Sequence, residues 1–376
     1  MRPNSSYPRV LIVGGGIGGL AAATALCRAG CQVDLVELKP AWSYPGVGII
    51  QPGNALRALA TLGLAQACLQ AGFAYAGYDY YHADGRLMHS FAGEVVAPDL
   101  PAYNGILRAD LHRILLQAAE DAGTRIRLGT TAVSLNDAGN AVQVEFSDGS
   151  RGDYALVVGA DGVSSPLRAR LFGAGHAPRP TGQSVWRLTM PRPADMQRGI
   201  MMVGPVSKAG YIPLNAAQMY LLLVTQEPPE VRLPREQLPA LLLQRLRDFG
   251  GMVERTRQYV LADSDVVYRP LEVVQLPSPW HRGRTLLIGD AAHASTPHLG
   301  QGAALAIEDA VVLGELVAAQ IPAAELGEAY MQRRFTRALR IQNASFTIGE
   351  YEQGRHPDLD LPALLREARI CAAEPI

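Results

Sequence analysis

Residues 9–20, Arg9-Val-Leu-Ile-Val-Gly-Gly-Gly-Ile-Gly-Gly-Leu20, restrict the fold of this chain more than any other stretch. A short apolar run turns through glycines into a segment of helix formers. Gly14, Gly16 and Gly19 stand in the order G-x-G-x-x-G. In a βαβ unit the first glycine permits the tight turn, the second lets the backbone approach a pyrophosphate, and the third lets helix and strand pack closely. The helix that begins there directs unpaired N–H groups and its positive dipole end at an anion. A glycine turn alone does not separate one dinucleotide from another, so its context carries the rest.

Residues 20–28 read as a helix stopped by Ala29-Gly30, and residues 32–37 as the next strand. Glu37 ends that strand about 20 residues beyond the glycines, where a carboxylate can accept both hydroxyls of an adenosine ribose. The sum is a dinucleotide-binding βαβ unit inside an α/β fold. Residues 46–54 are glycine-rich and read as a loop feeding a helix over 55–63. Residues 73–101, with Tyr75, Tyr78, Tyr80, Tyr81 and Phe91, read as a β-hairpin excursion whose tyrosines pack rather than bind. A helix is expected over 106–120, with Arg108 at its start. Strands at 125–128, 132–135 and 142–146 look like a small antiparallel insertion.

A second buried strand, residues 154–158, runs into Gly159-Ala-Asp-Gly-Val-Ser-Ser-Pro-Leu-Arg168, a Gly/Asp loop of the kind found at the ligand edge of a parallel sheet. Residues 182–269 change pattern to β-rich runs broken by prolines, with a helix near 238–249, and read as a sheet roofing an interdomain crevice. Glu227-Pro-Pro-Glu-Val-Arg-Leu-Pro234 reads as a solvated connection. A third buried strand leads to Gly289-Asp-Ala-Ala-His293, and Leu299-Gly-Gln-Gly302 opens a long helix. The helical tail, with Arg333, Arg334, Arg337 and Arg340, is expected to present a solvated charged face. The division that follows is 1–72, 102–181 and 270–320 for the nucleotide domain, 73–101 and 182–269 for a substrate domain, and 321–376 for C-terminal helices.

Composition excludes several classes. A net charge of −1 gives no basic surplus for a nucleic-acid backbone. The four cysteines form no C-x-x-C pair and no metal-ligand spacing with histidines, so no metal site is expected and a reduced, cytoplasmic setting fits. No stretch has the basic and apolar pattern of a signal peptide or the length of a membrane span. A monomer or homodimer is expected.

Taken in order, the Gly14/Gly16/Gly19 turn with Glu37, then Asp161-Gly162 with Ser165 and Arg168, then Gly289-Asp290-Ala-Ala-His293 with Pro297 and Gly300-Gln-Gly302, resemble the single-component flavoprotein monooxygenases typified by para-hydroxybenzoate hydroxylase. The resemblance spans nearly the whole chain. It implies a Rossmann-like FAD-binding domain, a β-sheet substrate domain and C-terminal helices. It also implies FAD contacts at Gly14, Gly16, Ile17, Gly18, Gly19, Glu37, Leu38, Lys39 and Gly48. Further contacts are implied at Arg108, Asp161, Gly162, Asp290, Pro297, Gly300, Gln301 and Gly302. Asp290, at a strand end beside a helix start, suits the ribityl hydroxyls that FAD has and NAD lacks. Pro297 corresponds to the proline at the reactive flavin face, with His298 beside it; His293 in such a loop is more often structural than catalytic.

The activity implied is insertion of one oxygen atom from O2 into a small aromatic or heteroaromatic substrate through a flavin C4a-hydroperoxide. NADH or NADPH would be a transient donor, since no second complete dinucleotide motif is present. Candidates on the roof are Arg187, able to hold a carboxylate in bidentate fashion, together with Tyr211 and Tyr220. Each has an ordinary packing role as its alternative. Two other readings stay open: a flavin oxidoreductase of the same fold, such as an isoprenoid reductase, and a non-catalytic member that binds a partner or a lipid. A halogenase is disfavoured because Val185-Trp-Arg-Leu-Thr-Met190 carries one tryptophan where W-x-W-x-I-P needs two.

Overall fold

The structure is a computed structural model and describes residues 7–43, 47–228 and 231–376. Gly46 of the glycine-rich stretch and residues 229–230 of the proline-rich one lie outside the described residues, as do residues 1–6. In chain order the helices are α1 (Ile17–Arg28), α2 (Gly53–Thr61), α3 (Ala65–Ala71), α4 (Arg108–Asp121), α5 (Pro166–Phe172), α6 (Leu238–Arg245), α7 (Gly251–Thr256), α8 (Asp290–His293), α9 (Gly302–Ala318), α10 (Ala323–Glu352) and α11 (Leu361–Ala373).

Apolar, β-branched runs need both faces covered, and the chain supplies a parallel sheet to meet that need. Strand Arg9–Val13 is central, paired in parallel with Leu156–Gly159 on one side and Gln32–Glu37 on the other. Thr285–Leu287 extends the sheet beyond Leu156–Gly159, and Arg125–Leu128 extends it beyond Gln32–Glu37. The three glycine or aspartate loops therefore leave the same edge of one sheet. Small residues let α1 lie close to α9: a Cβ on Gly314 would come within 2.8 Å of Ala25, and one on Gly18 within 3.3 Å of Ala306.

The second large sheet has the order Val267–Val273, Arg179–Pro191, Gln218–Gln226, Ser207–Pro213, Gly199–Val203, Gly77–His82, Leu87–Ala92. The hairpin near residue 80 joins it through parallel pairing of Gly77–His82 with Gly199–Val203. One face of this sheet, with Trp186, Leu188, Leu221 and Leu223, packs against Leu238 and Leu242 of α6. The other face looks down on the nucleotide-binding loops.

Four expectations are corrected. Strand Arg125–Leu128 is not part of the antiparallel insertion; it completes the parallel sheet, anchored where Arg125 Nε donates to Asp34 Oδ1 at 2.9 Å. The insertion consists of Ala132–Asp137, Val142–Phe146 and Arg151–Tyr154. Residues 48–52 form a strand rather than a loop, paired with Tyr103–Leu107, and Gly48 is small because Tyr220 and Leu214 fill the space of its Cβ. Residues 106 and 107 belong to that partner strand, so the helix starts at Arg108. Finally, α10 does not carry a uniformly solvated charged face. Arg334 is fully buried and Arg337 nearly so, because two acids of α9 face them from the core.

Candidate active site

Between the edge of the parallel sheet and the roof lies a cavity of about 340 Å3, lined by Gly16, Ile17, Gly18, Gly48, Arg108, Gly162, Asp290, Pro297, Gly300, Gln301 and Gly302 from below and by Val185, Arg187, Tyr220 and Leu222 from above. Most residues singled out from the sequence thus meet in one space.

The glycines of the first loop have distinct duties. Gly14 has φ +111°, and a Cβ there would lie 2.3 Å from Ala160 O. A Cβ on Gly19 would lie 1.9 Å from Gly14 O, so this position holds the turn closed. Gly16 has nothing within 4 Å of its Cβ position, and it caps α1 with no side-chain hydrogen bond. The N–H groups of that first turn are left for a ligand. Glu37 Oε2 accepts from Gly15 N at 2.9 Å and Oε1 from Lys39 N at 3.0 Å, which fixes the carboxylate beside the turn. Leu38 is exposed, and Lys39 reaches Ser43 Oγ on the surface; neither lines the cavity.

Asp161 works on the loop itself. Its carboxylate accepts from Ser165 Oγ at 2.6 Å and Leu167 N at 3.0 Å, and burial raises its pKa against these bonds. Gly162, at φ +80°, opens on the cavity with no atom within 4 Å of a Cβ. Arg168 ties this loop to the next: it donates to Val163 O at 2.7 Å and to Ala291 O at 3.0 Å.

Asp290 turns its carboxylate into the cavity, and the protein packed around that space raises its pKa by desolvation. His293 points the other way, with Nε2 2.7 Å from Asp309 Oδ2, and is a structural group. Asp309 Oδ2 also accepts from Gly289 N at 2.8 Å. Gly300, in the left-handed region at φ +65°, turns the chain into Gln301 and Gly302 at the start of α9. The Gln301 side chain is fixed by Asn54, whose Nδ2 donates to Gln301 Oε1 and to Glu308 Oε1, both at 2.9 Å.

Behind these loops stands a buried charge network that the sequence reading missed. Arg334 donates to Asp309 Oδ1 at 2.7 Å and to Glu308 Oε2 at 2.9 Å, and Arg337 donates to Glu308 Oε1 at 2.8 Å. Its signal in the sequence is the pair Glu308-Asp309 inside the otherwise apolar run 303–314, which demands cations.

On the roof, Arg187 faces the cavity and makes no hydrogen bond or ion pair among the described residues. Burial lowers its pKa, and the nearby Tyr220 phenol works in the opposite sense. Tyr220 is itself pushed up to about 12 by burial, so it stays a neutral phenol. Arg108 likewise lines the cavity with no side-chain hydrogen bond among the described residues.

Two candidates are not brought to the cavity. Tyr211 pairs with Leu221, one residue out of phase with Tyr220, so it lies on the opposite face of the sheet, where its hydroxyl is 2.7 Å from Thr256 Oγ1. His298 is turned away from the cavity toward α10, with Nε2 3.2 Å from Glu352 Oε2. That is ion-pair distance but off the line of a hydrogen bond, and burial lowers the imidazole pKa.

The donor set fits FAD. There is open space at Gly16 and Gly162 that a Cβ would fill, an uncapped helix N-terminus for a pyrophosphate, a carboxylate for a polyol, and a second helix start for an electron-rich ring. No group of three or more metal-ligating side chains occurs among the described residues, and no helix of the described residues is long and apolar enough to cross a membrane.

The sequence profile of the FAD binding domain family matches residues 7–345. The chain is similar to 2-heptyl-3-hydroxy-4(1H)-quinolone synthase of Pseudomonas aeruginosa, with 34% identity over 352 residues that cover 93% of this chain and 90% of that protein. It is also similar to salicylate hydroxylase of Pseudomonas putida, with 31% identity over 399 residues covering 95% and 89%. It shares its fold with Klebsiella pneumoniae HpxO, crystallised with FAD and uric acid, at a TM-score of 0.86 and 24% identity, covering 98% of this chain and 94% of that one. With the glycine and aspartate loops gathered under a β-sheet roof, the chain belongs to the FAD binding domain family and is an FAD-dependent monooxygenase of the aromatic hydroxylase group.

Proposed function

We propose that the protein consumes NADH or NADPH to insert one oxygen atom from O2 into a small, anionic aromatic or heteroaromatic compound held beneath Arg187. The observation that carries this is Arg187 itself: a cation facing the cavity with no hydrogen bond or ion pair among the described residues. A desolvated guanidinium needs an anion, and its planar fork suits a carboxylate or an enolate. Such a group would be costly against an isoprenoid chain, which disfavours the reductase alternative.

The residues divide the work. The N-terminus of α1 at Gly16 would hold the pyrophosphate and Glu37 the adenosine ribose, while Arg108 adds positive charge at the cavity edge. Asp290 would accept from ribityl hydroxyls. The N–H groups at Gly300–Gly302 would face the flavin ring, with Pro297 as an apolar surface beside it. Bound FAD supplies the activation of dioxygen and the oxygen transfer. Above it, Arg187 orients the substrate and stabilises negative charge, and neutral Tyr220 donates a hydrogen bond rather than removing a proton. Val185 and Leu222 help exclude water from the same space. On this reading the nucleotide domain is 1–72, 102–181 and 270–320, the substrate domain is 73–101 and 182–269, and 321–376 is the helical segment. Four free cysteines support a reducing, cytoplasmic setting.

The test is NADH and NADPH oxidation by the FAD-loaded protein against aromatic acids, phenols, N-heteroaromatics and their neutral esters, with product analysis to separate oxygenation from peroxide release. Anionic compounds should accelerate oxidation and gain one oxygen. Arg187→Met should weaken their binding roughly ten- to a hundredfold and leave the esters unaffected. If no compound gains an oxygen, the oxygenase reading fails; if esters and acids respond alike to Arg187→Met, the anion-binding role fails.

A further inference from the structure

Along α10, Gln342, Ser345, Gly349 and Glu352 recur at steps of three and four residues and so form one stripe. This stripe meets the segment before Gly300 at every second residue. Gln342 Nε2 donates to Ala294 O at 2.8 Å. Ser345 Oγ donates to Thr296 O at 2.8 Å and lies 2.8 Å from Thr296 Oγ1. Gly349 makes room for the His298 ring, which a Cβ would approach to 2.9 Å, and Glu352 lies beyond it. Between these grips on residues 294, 296 and 298, Ser295 and Pro297 face the cavity, and Thr296, although bonded to Ser345, borders it as well.

Pro297 has a role by resemblance; Ser295 has none so far. Its Oγ is buried and has no hydrogen-bond partner among the described residues. A buried orphan hydroxyl is rare in a folded protein and calls for an explanation. The direction in which it opens supplies one. A Cβ placed on Gly302 would lie 3.8 Å from Ser295 Oγ and 3.9 Å from Asp290 Oδ1, so the hydroxyl and the carboxylate converge on the first residue of α9.

We infer that Ser295 is a cofactor-contacting residue, that its hydroxyl bonds the same polyol region of FAD as Asp290, and that the α10 stripe is the positioning element that presents it. This rests on the FAD site described above. In the ligand-free protein the hydroxyl contributes nothing to stability, because it has no hydrogen-bond partner among the described residues; its bond forms only with the cofactor.

That asymmetry sets the experiment. FAD affinity is measured by release of flavin fluorescence on dilution of the FAD-loaded protein, alongside the visible flavin spectrum and the thermal midpoint of the FAD-free protein. Ser295→Ala should raise the FAD Kd about five- to tenfold and shift the flavin bands, without lowering the FAD-free midpoint. Ser295→Thr should restore affinity. Ser345→Ala should weaken FAD in the same direction, and the double variant should be no weaker than Ser295→Ala alone, since both changes remove one contact. A wild-type protein that binds FAD and a Ser295→Ala variant within twofold of it would overturn the contact. A fall in the FAD-free midpoint that accounts for the lost affinity would make Ser295 structural, and additive effects would overturn the positioning by α10. Absence of FAD binding in the wild type would instead overturn the underlying cofactor reading and this inference with it.

Discussion

Replacing Arg334 by Met keeps the volume of a side chain that is fully buried and removes its charge from between Glu308 and Asp309, which are buried to the same degree. Three donations are lost: to Asp309 Oδ1, Glu308 Oε2 and Leu305 O. Glu308 retains Arg337 and Asn54, and Asp309 retains His293 and the Gly289 N–H. The network is thereby left with one uncompensated buried negative charge, a loss that costs about 3–5 kcal/mol. Spread over 376 residues at roughly 2.1 cal/mol/K each, the unfolding entropy converts this to a fall of about 4–6 °C in Tm. The pH dependence has a definite sign. Burial alone would raise Asp309, but His293 and Arg334 hold it below its ordinary value; burial would likewise raise Glu308, but Arg334 and Arg337 hold it down. The stabilisation is therefore complete above the ordinary carboxylate range and is lost as pH falls below about 4, so the gap between wild type and variant should narrow there. The assay is urea unfolding followed by tryptophan fluorescence, with FAD held at one concentration because a ligand shifts apparent stability. Arg333→Met is the control: the neighbouring arginine pairs with Glu315 at 2.7 Å in a half-exposed setting and should cost under about 1 kcal/mol. A loss below about 1 kcal/mol for Arg334→Met, or equal losses for the two variants, would refute the reasoning.

The second and third glycines of the turn should separate folding from cofactor binding. Gly19→Ala drives a Cβ into Gly14 O and should lower Tm, whereas Gly16→Ala should melt as the wild type does yet lose at least tenfold in FAD affinity, read by flavin content. Tyr211→Phe should leave the binding of aromatic acids within twofold of wild type, because its hydroxyl serves Thr256 on the far face of the roof, while Tyr220→Phe should lower turnover, both read by steady-state kinetics. Glu352, raised by burial but brought down to about 2 by Lys208 and His298 against an ordinary value of 4.5, contributes stability that is present above about pH 4.5 and lost toward pH 2. The difference in unfolding free energy between wild type and Lys208→Met should therefore shrink steadily from pH 5 to pH 2.

What could be read from the chain in advance depended on whether the reason for a residue was local. Gly14 answers to its own positive φ and Gly19 to Gly14 O in the same turn, so their spacing speaks for itself. Gly48 answers instead to Tyr220, far along the chain, and its glycine-rich neighbourhood therefore reads as a loop where a strand forms. Arg334 and Arg337 lie on a helix with many charges, and only their meeting with Glu308 and Asp309 distinguishes them from the solvated Arg333. Tyr211 and Tyr220 are equivalent as residues on two strands; the pairing of Ile212 with Tyr220 decides which one sees the cavity. His298 and Ser295 exchange roles for the same kind of reason, since which side chains of residues 294–298 reach the cavity is fixed by what α10 grips.

That grip has a consequence for how such a site can change. Because α10 grips this segment at residues 294, 296 and 298, the lining of the cavity is encoded in chain length as much as in side chains. Removing or adding one residue between Asp290 and Gly300, a stretch that runs from α8 into the 3-10 turn at Pro297–Leu299, would break those grips together and shift Ser295, Thr296 and Pro297 in the cavity at once. Substitutions on the roof carry no such penalty, since Val185, Arg187, Tyr220 and Leu222 stand on strands whose register is held over nine consecutive pairs. Variation in specificity is therefore cheapest as exchange of roof side chains, and the floor tolerates replacement far better than insertion or deletion.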